Sequence, residues 1–266
     1  MAHPDVAVLQ PWDDAPQFSV AVAVTTRHGG VSSGPYATLN LGLHVGDDPD
    51  HVHTNRDRAA RAFGVTLDDT VFAEQVHGAQ ATHVVAPDRG RGARTLHDAI
   101  ATTDILVTTT HEVALVILVA DCVPLALVDP HARTLAVVHA GWRGTVAGAV
   151  GCALDAMSAH GSRPERVAAF LGPAVSPDRY QVGPEVRHGL TAAVAPDVLD
   201  PAVLHPDGES HWRADLVAAN RQQLLRGGVA PDHIFHSGTT TADGEHFSDR
   251  AARPCGRFAL MARLLA

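Results

Sequence analysis

Residues 119–144 read VADCVPLALVDPHARTLAVVHAGWRG, and this segment decides the fold because it joins two apolar runs through a turn. The runs PLALV and TLAVV have the apolar, β-branched composition of buried strands, and DPHAR between them is rich in turn-forming residues. The segment therefore predicts a β-hairpin. If residues 129–132 form its turn, Cys122 and His139 lie directly opposite each other on the two strands.

This predicted pairing of Cys122 with His139 leaves three interpretations of the two side chains. Directly opposed residues of an antiparallel pair point to the same face with Cβ atoms roughly 4.5–5.5 Å apart. A thiolate and an imidazole at that spacing could share a metal ion or exchange a proton. Free cysteine is also among the most buried residue types, so both could be core residues. A register shift of one residue would place them on opposite faces.

Two neighbouring features favour a functional site over a core position. Asp121 puts a charge at the end of a very apolar run, which is costly unless the carboxylate is paired or lies in an exposed site. GWRG follows His139 after one residue, Ala140, and is predicted to begin a helix. Trp142, Arg143 and a helix N-terminus would then come together where an anion could bind.

A third candidate ligand lies upstream in EQVHG, which places Glu74, Gln75 and His77 at the end of a strand-like segment. Two histidines and one cysteine would form the three-ligand site with an open position that is typical of catalytic zinc. Spacing alone does not select this set, because the chain has 18 histidines and His51 and His53 form a rival pair. A metal-free thiol nucleophile with a histidine base is a further alternative.

Composition limits the class of protein. The chain has 266 residues, of which 45% are hydrophobic and 18% charged, and this suits one large compact domain or two small ones. The absence of an internal repeat and of a low-complexity linker favours one domain over residues 1–266. The net charge of −9 and the scattered basic residues speak against nucleic acid as a partner. All 20 basic residues are arginine, which excludes chemistry that needs a lysine amine. Anions must therefore be held by arginines, backbone N–H groups or a metal.

Three further features predict a cytoplasmic protein without a membrane partner. Residues 1–16 lack the basic start of a secretory signal. The longest uncharged apolar run, Val113–Ala120, is too short to span a bilayer. The cysteines are odd in number and widely spaced, so we expect a reducing compartment rather than a disulfide framework.

The rest of the chain mixes strands and helices without strict alternation. A strand at 18–25 is followed by a long Gly-, Ser- and Asn-rich loop, and loops of that kind are often functional. Further strands are predicted at 70–78 and 81–87 around a tight turn, several within 104–141, and one at 167–175. Helices are predicted at 48–64, 144–161 and 213–228. This order favours an α+β fold, a single domain with mixed or antiparallel β-sheets covered by helices, over a doubly wound α/β sheet.

Motifs along nearly the whole chain resemble those of a known family. In order they are TRHGGVSSGPYATLNLG, HVGDDP, QVHG, ADCVPL, HAGWRG, LGPAVSPDRYQVGPEV and the terminal FSDR and CGRFA. This set resembles the YfiH/YlmD family, also called laccase-domain or polyphenol oxidoreductase proteins. The resemblance implies a YfiH-like α+β domain with one catalytic zinc ion, whose ligands correspond to His77, Cys122 and His139.

The resemblance also implies an activity. It is the phosphorolysis of purine nucleosides, in which adenosine, inosine, guanosine or methylthioadenosine reacts with phosphate to give the base and a pentose 1-phosphate. Adenosine deamination is a further family activity. Copper-dependent polyphenol oxidation, as in laccases, and editing of peptidoglycan precursors by a Cys-His hydrolase are alternative family roles. Laccase chemistry fits less well, because a multi-copper site needs many paired histidines.

Candidate contacts to the nucleoside and to phosphate are polar residues within or beside these motifs. They are Arg27, Asn40, Arg56, Gln75 and Arg143. Each also has a structural alternative, since Asn40 could stabilise a loop and Arg56 could lie on a solvated helix face. The sequence departs from the family pattern at Asp178–Arg179 and at Gly238–Thr239, which leaves the substrate preference open.

Overall fold

The computed structural model describes residues 6, 8–10, 18–194 and 202–266. The N-terminal segment 1–16, for which no secretory signal is predicted, lies mostly outside the described residues. No helix within the described ranges is both long enough and apolar enough to cross a membrane.

Two large sheets and one small sheet form the framework. The five-stranded sheet has the order β1 (Val8–Leu9), β2 (Val20–Thr25), β14 (Phe258–Leu264), β6 (Ala114–Val119) and β3 (Thr70–Phe72). The six-stranded sheet has the order β13 (Ile234–His236), β9 (Ala168–Leu171), β7 (Val123–Asp129), β8 (Thr134–Ala140), β5 (Ile105–Thr108) and β4 (Ala81–Val84). The small sheet has the order β10 (Gln181–Val182), β12 (Trp212–Ala214) and β11 (Leu204–Pro206).

Helices cover the large sheets. They are α1 (Pro49–Ala62), α2 (Trp142–Val146), α3 (Ala149–Ser158), α4 (Pro184–Val194) and α5 (Leu216–Arg226). The two large sheets share one buried core, to which Ile117 and Leu260 contribute from one sheet and Leu135 and Phe170 from the other. Side chains of α3 and α5 pack on the outer face of the six-stranded sheet, and α1 packs on the outer face of the five-stranded sheet. Because both faces are covered, β6 and β7 are continuous apolar runs rather than alternating ones.

The strand pairing confirms the α+β prediction with mixed sheets. Strand β14 is antiparallel to both β2 and β6, whereas β3 runs parallel to β6. In the other large sheet β8 is antiparallel to β5 and β7, and β4 runs parallel to β5. The predicted helices at 48–64 and 213–228 correspond to α1 and α5.

The predicted hairpin exists, but its register differs from the prediction. Asp129 pairs with Thr134 and Pro124 pairs with His139, so the chain reverses over residues 130–133 rather than 129–132. The carboxylate of Asp129 accepts hydrogen bonds from the N–H groups of His131 and Ala132 and thereby holds the turn. Cys122 therefore lies diagonally from His139 and not directly opposite it.

Two other predicted elements are wrong in detail. Residues 70–78 and 81–87 do not form a hairpin, because β3 pairs with β6 and β4 pairs with β5 in the other large sheet. Residues 73–80 cross between the sheets and carry His77. The predicted helix at 144–161 is interrupted between α2 and α3, where Gly148 has a φ of 78° in the left-handed region. The sequence patterns did not indicate α4 or the small sheet.

Candidate active site

Three side chains from separate parts of the chain converge at one edge of the paired sheets. His77 comes from the crossing segment, Cys122 from the residue before β7 and His139 from the end of β8. Their ligand atoms all lie within 4.8 Å of one another. The ring centroids of the two histidines are 4.7 Å apart at 72°. His139 is buried, Cys122 is half-buried and His77 is exposed, so the group opens on one side.

This group is a possible metal site. Among the described residues it is the one set of three or more His, Cys, Asp or Glu side chains close enough to hold an ion. The rival pair, His51 and His53, lies on α1, and Nε2 of His53 is 2.7 Å from the carbonyl oxygen of Arg94. The structure therefore brings together the predicted triad and not the rival pair.

Two glycines of the HAGWRG motif give the triad its space. A Cβ atom at Gly141 would lie 2.7 Å from Sγ of Cys122 and 3.4 Å from Cδ2 of His77. A Cβ atom at Gly144 would lie 3.0 Å from the carbonyl oxygen of Gly78. Only glycine lets the start of α2 approach the thiol this closely.

Asp104 lies behind the triad and contacts two of its members. This residue is fully buried and lies directly before β5. One carboxylate oxygen accepts hydrogen bonds from Nδ1 of His139 at 2.8 Å and from the N–H of His77 at 2.9 Å. The other accepts from the N–H groups of Gly78 at 2.7 Å and Val76 at 3.2 Å. Burial raises the pKa of this carboxyl, but the hydrogen bonds from His139 and the backbone outweigh that effect and lower it.

The electrostatics of the triad favour a thiolate. Burial raises the pKa of the Cys122 thiol, but the charge of His139 and hydrogen bonds from both histidines outweigh it and lower the pKa to about 6. Burial lowers the pKa of the His139 ring, but Cys122 and Asp104 raise it to about 9. Cys122 and His139 therefore form a thiolate–imidazolium pair in the metal-free protein. Metal binding would release the proton of His139.

A cleft of about 650 Å³ opens over the triad. This volume lies within the range of about 300–1,000 Å³ typical of small-molecule sites. Its walls combine apolar and aromatic side chains with several arginines. The apolar and aromatic side chains include Phe72, Leu96, Trp142, Val175, Tyr180 and Leu216. The arginines are Arg56, Arg143, Arg250, Arg253 and Arg257.

Two of the predicted substrate contacts organise a loop and do not line this cleft. Arg27 donates from Nε and Nη2 to the carbonyl oxygen of Ala37, and its guanidinium lies 4.7 Å from the centre of the Phe247 ring. Asn40 is fully buried and accepts hydrogen bonds from the N–H groups of Gly42 and Arg257. The structure thus gives both residues the structural role that the sequence left as an alternative.

Gln75 lines the cleft, but its amide group is engaged with a strand. Nε2 donates to the carbonyl oxygen of Leu118 at 2.8 Å, and Oε1 accepts from the N–H of the same residue at 2.9 Å. These two bonds attach the crossing segment to β6. Gln75 therefore supports the position of His77, two residues further along the chain.

Arg56 is a buried cation at the wall of the cleft, not part of a solvated helix face. It is 2% exposed and donates to the carbonyl oxygens of Leu41, Gly92 and Ala93. Its guanidinium lies 4.1 Å from the centre of the Phe72 ring. Burial lowers its pKa to about 9. Within the described part of the chain, its hydrogen-bond acceptors are carbonyls and none is a carboxylate.

Arg143 also lines the cleft and is exposed there. It lies on α2 next to the triad, and its guanidinium stacks 4.3 Å from the centre of the Trp142 ring. Of the five predicted contacts, Arg56, Gln75 and Arg143 therefore reach the cleft.

Asp121 and Tyr180 meet residues of the C-terminal part of the chain at the cleft, and the sequence assigned no role there to Tyr180, Thr241 or Arg250. Asp121 has a φ of 90°, and its carboxylate accepts hydrogen bonds from Oγ1 of Thr241 at 2.5 Å and from the N–H of Arg250 at 2.6 Å. These bonds explain how a charge ends the apolar run of β6. Burial raises the pKa of Tyr180 to about 12, and the guanidinium of Arg250 lies 5.7 Å from its ring centre. Arg250 belongs to the FSDR motif and Tyr180 to LGPAVSPDRYQVGPEV, and these two motifs were the sequence signals for this side of the site.

Comparisons with known proteins bear on this site. The profile of the family described as multi-copper polyphenol oxidoreductase laccase matches residues 21–264. A protein named purine nucleoside phosphorylase YlmD from Geobacillus stearothermophilus is 40% identical, over 90% of this chain and 88% of that relative. A purine nucleoside phosphorylase from Deinococcus radiodurans is also 40% identical, over 94% and 89%.

Solved structures show the same fold. The crystal structure of YlmD from Geobacillus stearothermophilus superposes with a TM-score of 0.91 at 36% identity, covering 95% of this chain and 94% of that chain. The crystal structure of the hypothetical protein YfiH from Bacillus licheniformis has a TM-score of 0.91 at 31% identity, covering 98% and 97%.

Proposed function

The chain belongs to the multi-copper polyphenol oxidoreductase laccase family, and on that basis we propose that it is a zinc-dependent purine nucleoside phosphorylase. Its substrates are adenosine, inosine, guanosine and methylthioadenosine together with phosphate. The products are the free base and a pentose 1-phosphate. The observation that carries the proposal is the convergence of His77, Cys122 and His139 beneath an arginine-lined cleft. The names of the relatives at 40% identity support it.

Zinc is the metal that best fits the three donors. A thiolate and two imidazoles suit a tetrahedral zinc ion with one position left for substrate or water. The lowered pKa of Cys122 supplies the thiolate at neutral pH, and Gly141 leaves the space that Sγ occupies. When bound, zinc would act as a Lewis acid that polarises and orients a substrate oxygen. The family description names copper, and measuring the metal content distinguishes the two ions.

Arg56 and Arg143 are the proposed phosphate contacts. Arg56 is a buried cation whose acceptors are neutral carbonyls, and a buried charge is costly unless it is paired. A bound phosphate dianion would provide that pairing. Arg143 presents a second guanidinium from the exposed side of the cleft. Since the chain has no lysine, arginines supply the bidentate hydrogen bonds that phosphate favours.

The purine base is proposed to occupy the aromatic part of the cleft. Trp142 and Tyr180 both line it, and flat aromatic side chains suit stacking against a purine ring. The polar groups that recognise the base set the preference among the nucleosides. Gln75 attaches the crossing segment to β6, and Asn40 accepts a hydrogen bond from the N–H of Arg257, which lines the cleft. Arg27 stabilises the loop that carries Asn40.

A hydrolase is the second candidate function, and one observation favours it. Cys122, His139 and Asp104 form a chain of nucleophile, base and orienting carboxylate like that of cysteine hydrolases. Such a site would cleave its substrate without metal, as in editing of peptidoglycan precursors. Adenosine deamination is proposed as a side activity of the zinc form.

One experiment separates these functions. Purified protein of measured metal content is incubated with each nucleoside, with and without phosphate, and the products are separated by chromatography. The proposal predicts release of free base that requires both zinc and phosphate. Release of inosine from adenosine without phosphate indicates deamination, and activity that survives complete chelation indicates the hydrolase. Oxygen uptake with a polyphenol after copper loading indicates the oxidase. Absence of phosphate-dependent base release overturns the proposal.

We also propose that residues 1–266 form one domain that works in the cytoplasm. The family match spans residues 21–264, which include all three triad members and the arginines of the cleft. All three cysteines are free thiols, and a thiolate ligand stays intact only where it is not oxidised.

A further inference from the structure

We propose that Asp104 is a positioning residue that orients His77 and His139 together and fixes the tautomer in which His139 presents Nε2 to the metal. The inference rests on the metal site proposed above. It assigns a role to a residue that lies outside the triad and does not line the cleft.

The contacts of Asp104 reach both histidines, one by its backbone and one by its ring. The N–H groups of three consecutive residues, Val76, His77 and Gly78, all donate to its carboxylate. This arrangement wraps the crossing segment around the carboxylate and holds His77 at a φ of 62°, which non-glycine residues rarely adopt. Asp104 thus positions a ligand without contacting its side chain.

His139 is held twice by the same residue. Its N–H donates to the carbonyl oxygen of Asp104 at 2.8 Å, and its ring Nδ1 lies 2.8 Å from the carboxylate. Because a carboxylate only accepts hydrogen bonds, Nδ1 must carry the proton. The neutral ring then has an unprotonated Nε2, which is the atom left for a metal. Carboxylates behind metal-binding histidines act in this way in many metal sites.

The variant Asp104→Asn changes hydrogen-bond chemistry with little change in shape. An amide has one acceptor oxygen, which is best used by the N–H groups of Val76 and Gly78. Its nitrogen then takes the place of the oxygen that accepts from Nδ1 of His139 and from the N–H of His77, so it donates to Nδ1 and leaves the N–H of His77 without its acceptor. This reverses the tautomer, moves the proton to Nε2 and blocks that atom as a ligand.

Asp129 provides a matched control. It is also a fully buried aspartate, and it accepts hydrogen bonds from the N–H groups of His131, Ala132 and Arg163 and from the hydroxyl of Ser162. Its carboxylate also forms an ion pair with Nη2 of Arg166 at 3.2 Å, as that of Asp104 does with the His139 ring. Asp129 is the last residue of β7, and Cys122 directly precedes the first residue of that strand. At the rise per residue of a β-strand, the two residues are roughly 20 Å apart. The unfolding temperature of Asp129→Asn therefore shows how much stability is lost when a buried carboxylate is replaced by an amide away from the metal site.

The test measures zinc affinity by competition with a chromophoric chelator, together with thermal unfolding of the zinc-free proteins. We expect Asp104→Asn to weaken zinc binding by about 10–100-fold, and Asp129→Asn to keep the affinity of the unmodified protein even if it unfolds at a lower temperature. Unchanged affinity in Asp104→Asn overturns the inference, and so does an equal loss in both variants. If the unmodified protein binds no zinc, the metal assignment itself fails.

A second measurement does not use the Asp104→Asn variant. Long-range ¹H–¹⁵N correlation spectra of the zinc-loaded, unmodified protein report which ring nitrogen of His139 carries the proton. The resonances are identified by their loss in His139→Gln. We expect a protonated Nδ1, and a protonated Nε2 overturns the inference.

Discussion

Gly141 and Cys122 are in such close contact that a Cβ atom at position 141 would lie 2.7 Å from the thiol sulfur. The same Cβ atom would lie 3.4 Å from the ring of His77. The first residue of the GWRG motif is therefore glycine because the start of α2 and two members of the triad share one space. Adding a methyl group at position 141 therefore tests the site directly.

Gly141→Ala should displace Cys122 and lower zinc content. The added methyl group overlaps Sγ, and overpacking of this kind typically costs about 1–3 kcal/mol unless the neighbour moves. We expect zinc per chain and phosphorolysis to fall together. Gly151→Ala is the control, since no atom would lie within 4 Å of its Cβ and it is within α3. That variant should be stabilised by about 0.5–1 kcal/mol with unchanged zinc. Full zinc in Gly141→Ala would contradict the prediction.

Cys122→Ser should abolish stoichiometric zinc binding. A serine hydroxyl is not deprotonated at neutral pH and does not replace a thiolate ligand. We expect the phosphate-dependent release of base from inosine to fall by at least about 100-fold. Cys152→Ser, a half-buried free cysteine on α3 outside the cleft lining, serves as the matched control and should behave like the unmodified protein. Retained zinc in Cys122→Ser would show that the ligand set is different.

Arg143→Ala should weaken phosphate binding without changing stability. Arg143 is exposed in the cleft, so its removal leaves no buried group unsatisfied. We expect the KM for phosphate to rise by about 10-fold, equivalent to about 1.4 kcal/mol, with a smaller change in the KM for inosine. Arg221→Ala on the exposed face of α5 is the control. An equal rise in both KM values would assign Arg143 to the nucleoside instead of phosphate.

Alkylation of Cys122 in the zinc-free protein should show a midpoint near pH 6, because the thiolate is the reactive form and its pKa is lowered to about 6. An unperturbed cysteine thiol, whose pKa is 9.0, would lose reactivity as pH falls below that value. The rate of iodoacetamide labelling is followed by mass spectrometry in a Cys152→Ser background. Zinc should protect the thiol, and a midpoint near 9 would contradict the thiolate–imidazolium pair.

The same pair predicts how the stability of the zinc-free protein depends on pH. Since the pKa of Cys122 is lowered on folding, its contribution is present at high pH and is lost as pH falls through about 6. Since the pKa of His139 is raised, its contribution is present below the ordinary histidine value of 6.5 and is lost as pH rises through about 9. Between about pH 6.5 and 9 the two changes are opposite in sign and nearly equal, so the pair should leave the thermal midpoint of the zinc-free protein nearly constant over this range. A slope across this range in the difference between the thermal midpoints of the unmodified protein and Cys122→Ser would contradict the pairing.

Much of the fold was predictable from local patterns. Continuous apolar runs indicated β6, β7 and β8, an Asp-Pro start indicated α1, and the turn residues after β7 indicated the hairpin. The patterns failed where pairing partners lie far apart in the chain. Local sequence cannot tell that β3 and β4 join different sheets, because each pairs with a strand that follows later.

The hairpin shows most clearly which features of the site were local. The register prediction was wrong by two residues, yet Cys122 and His139 still lie on the same face, because side chains alternate along a strand with a period of two. Residue types and strand periodicity were thus sufficient to put a thiol beside an imidazole. The family resemblance then identified His77 as the third member.

Long-range packing determined which other residues belong to the site. Asp104 joins the triad because β5 pairs with β8, and Arg250 is held at the cleft by a backbone hydrogen bond to Asp121, which lies 129 residues earlier in the chain. Arg27 and Asn40 were predicted as substrate contacts, but their side chains form hydrogen bonds with the backbone of their own loop. The sequence therefore sets which chemical groups are available and on which face they lie. Sheet pairing and burial, which depend on contacts between distant residues, determine which of those groups meet.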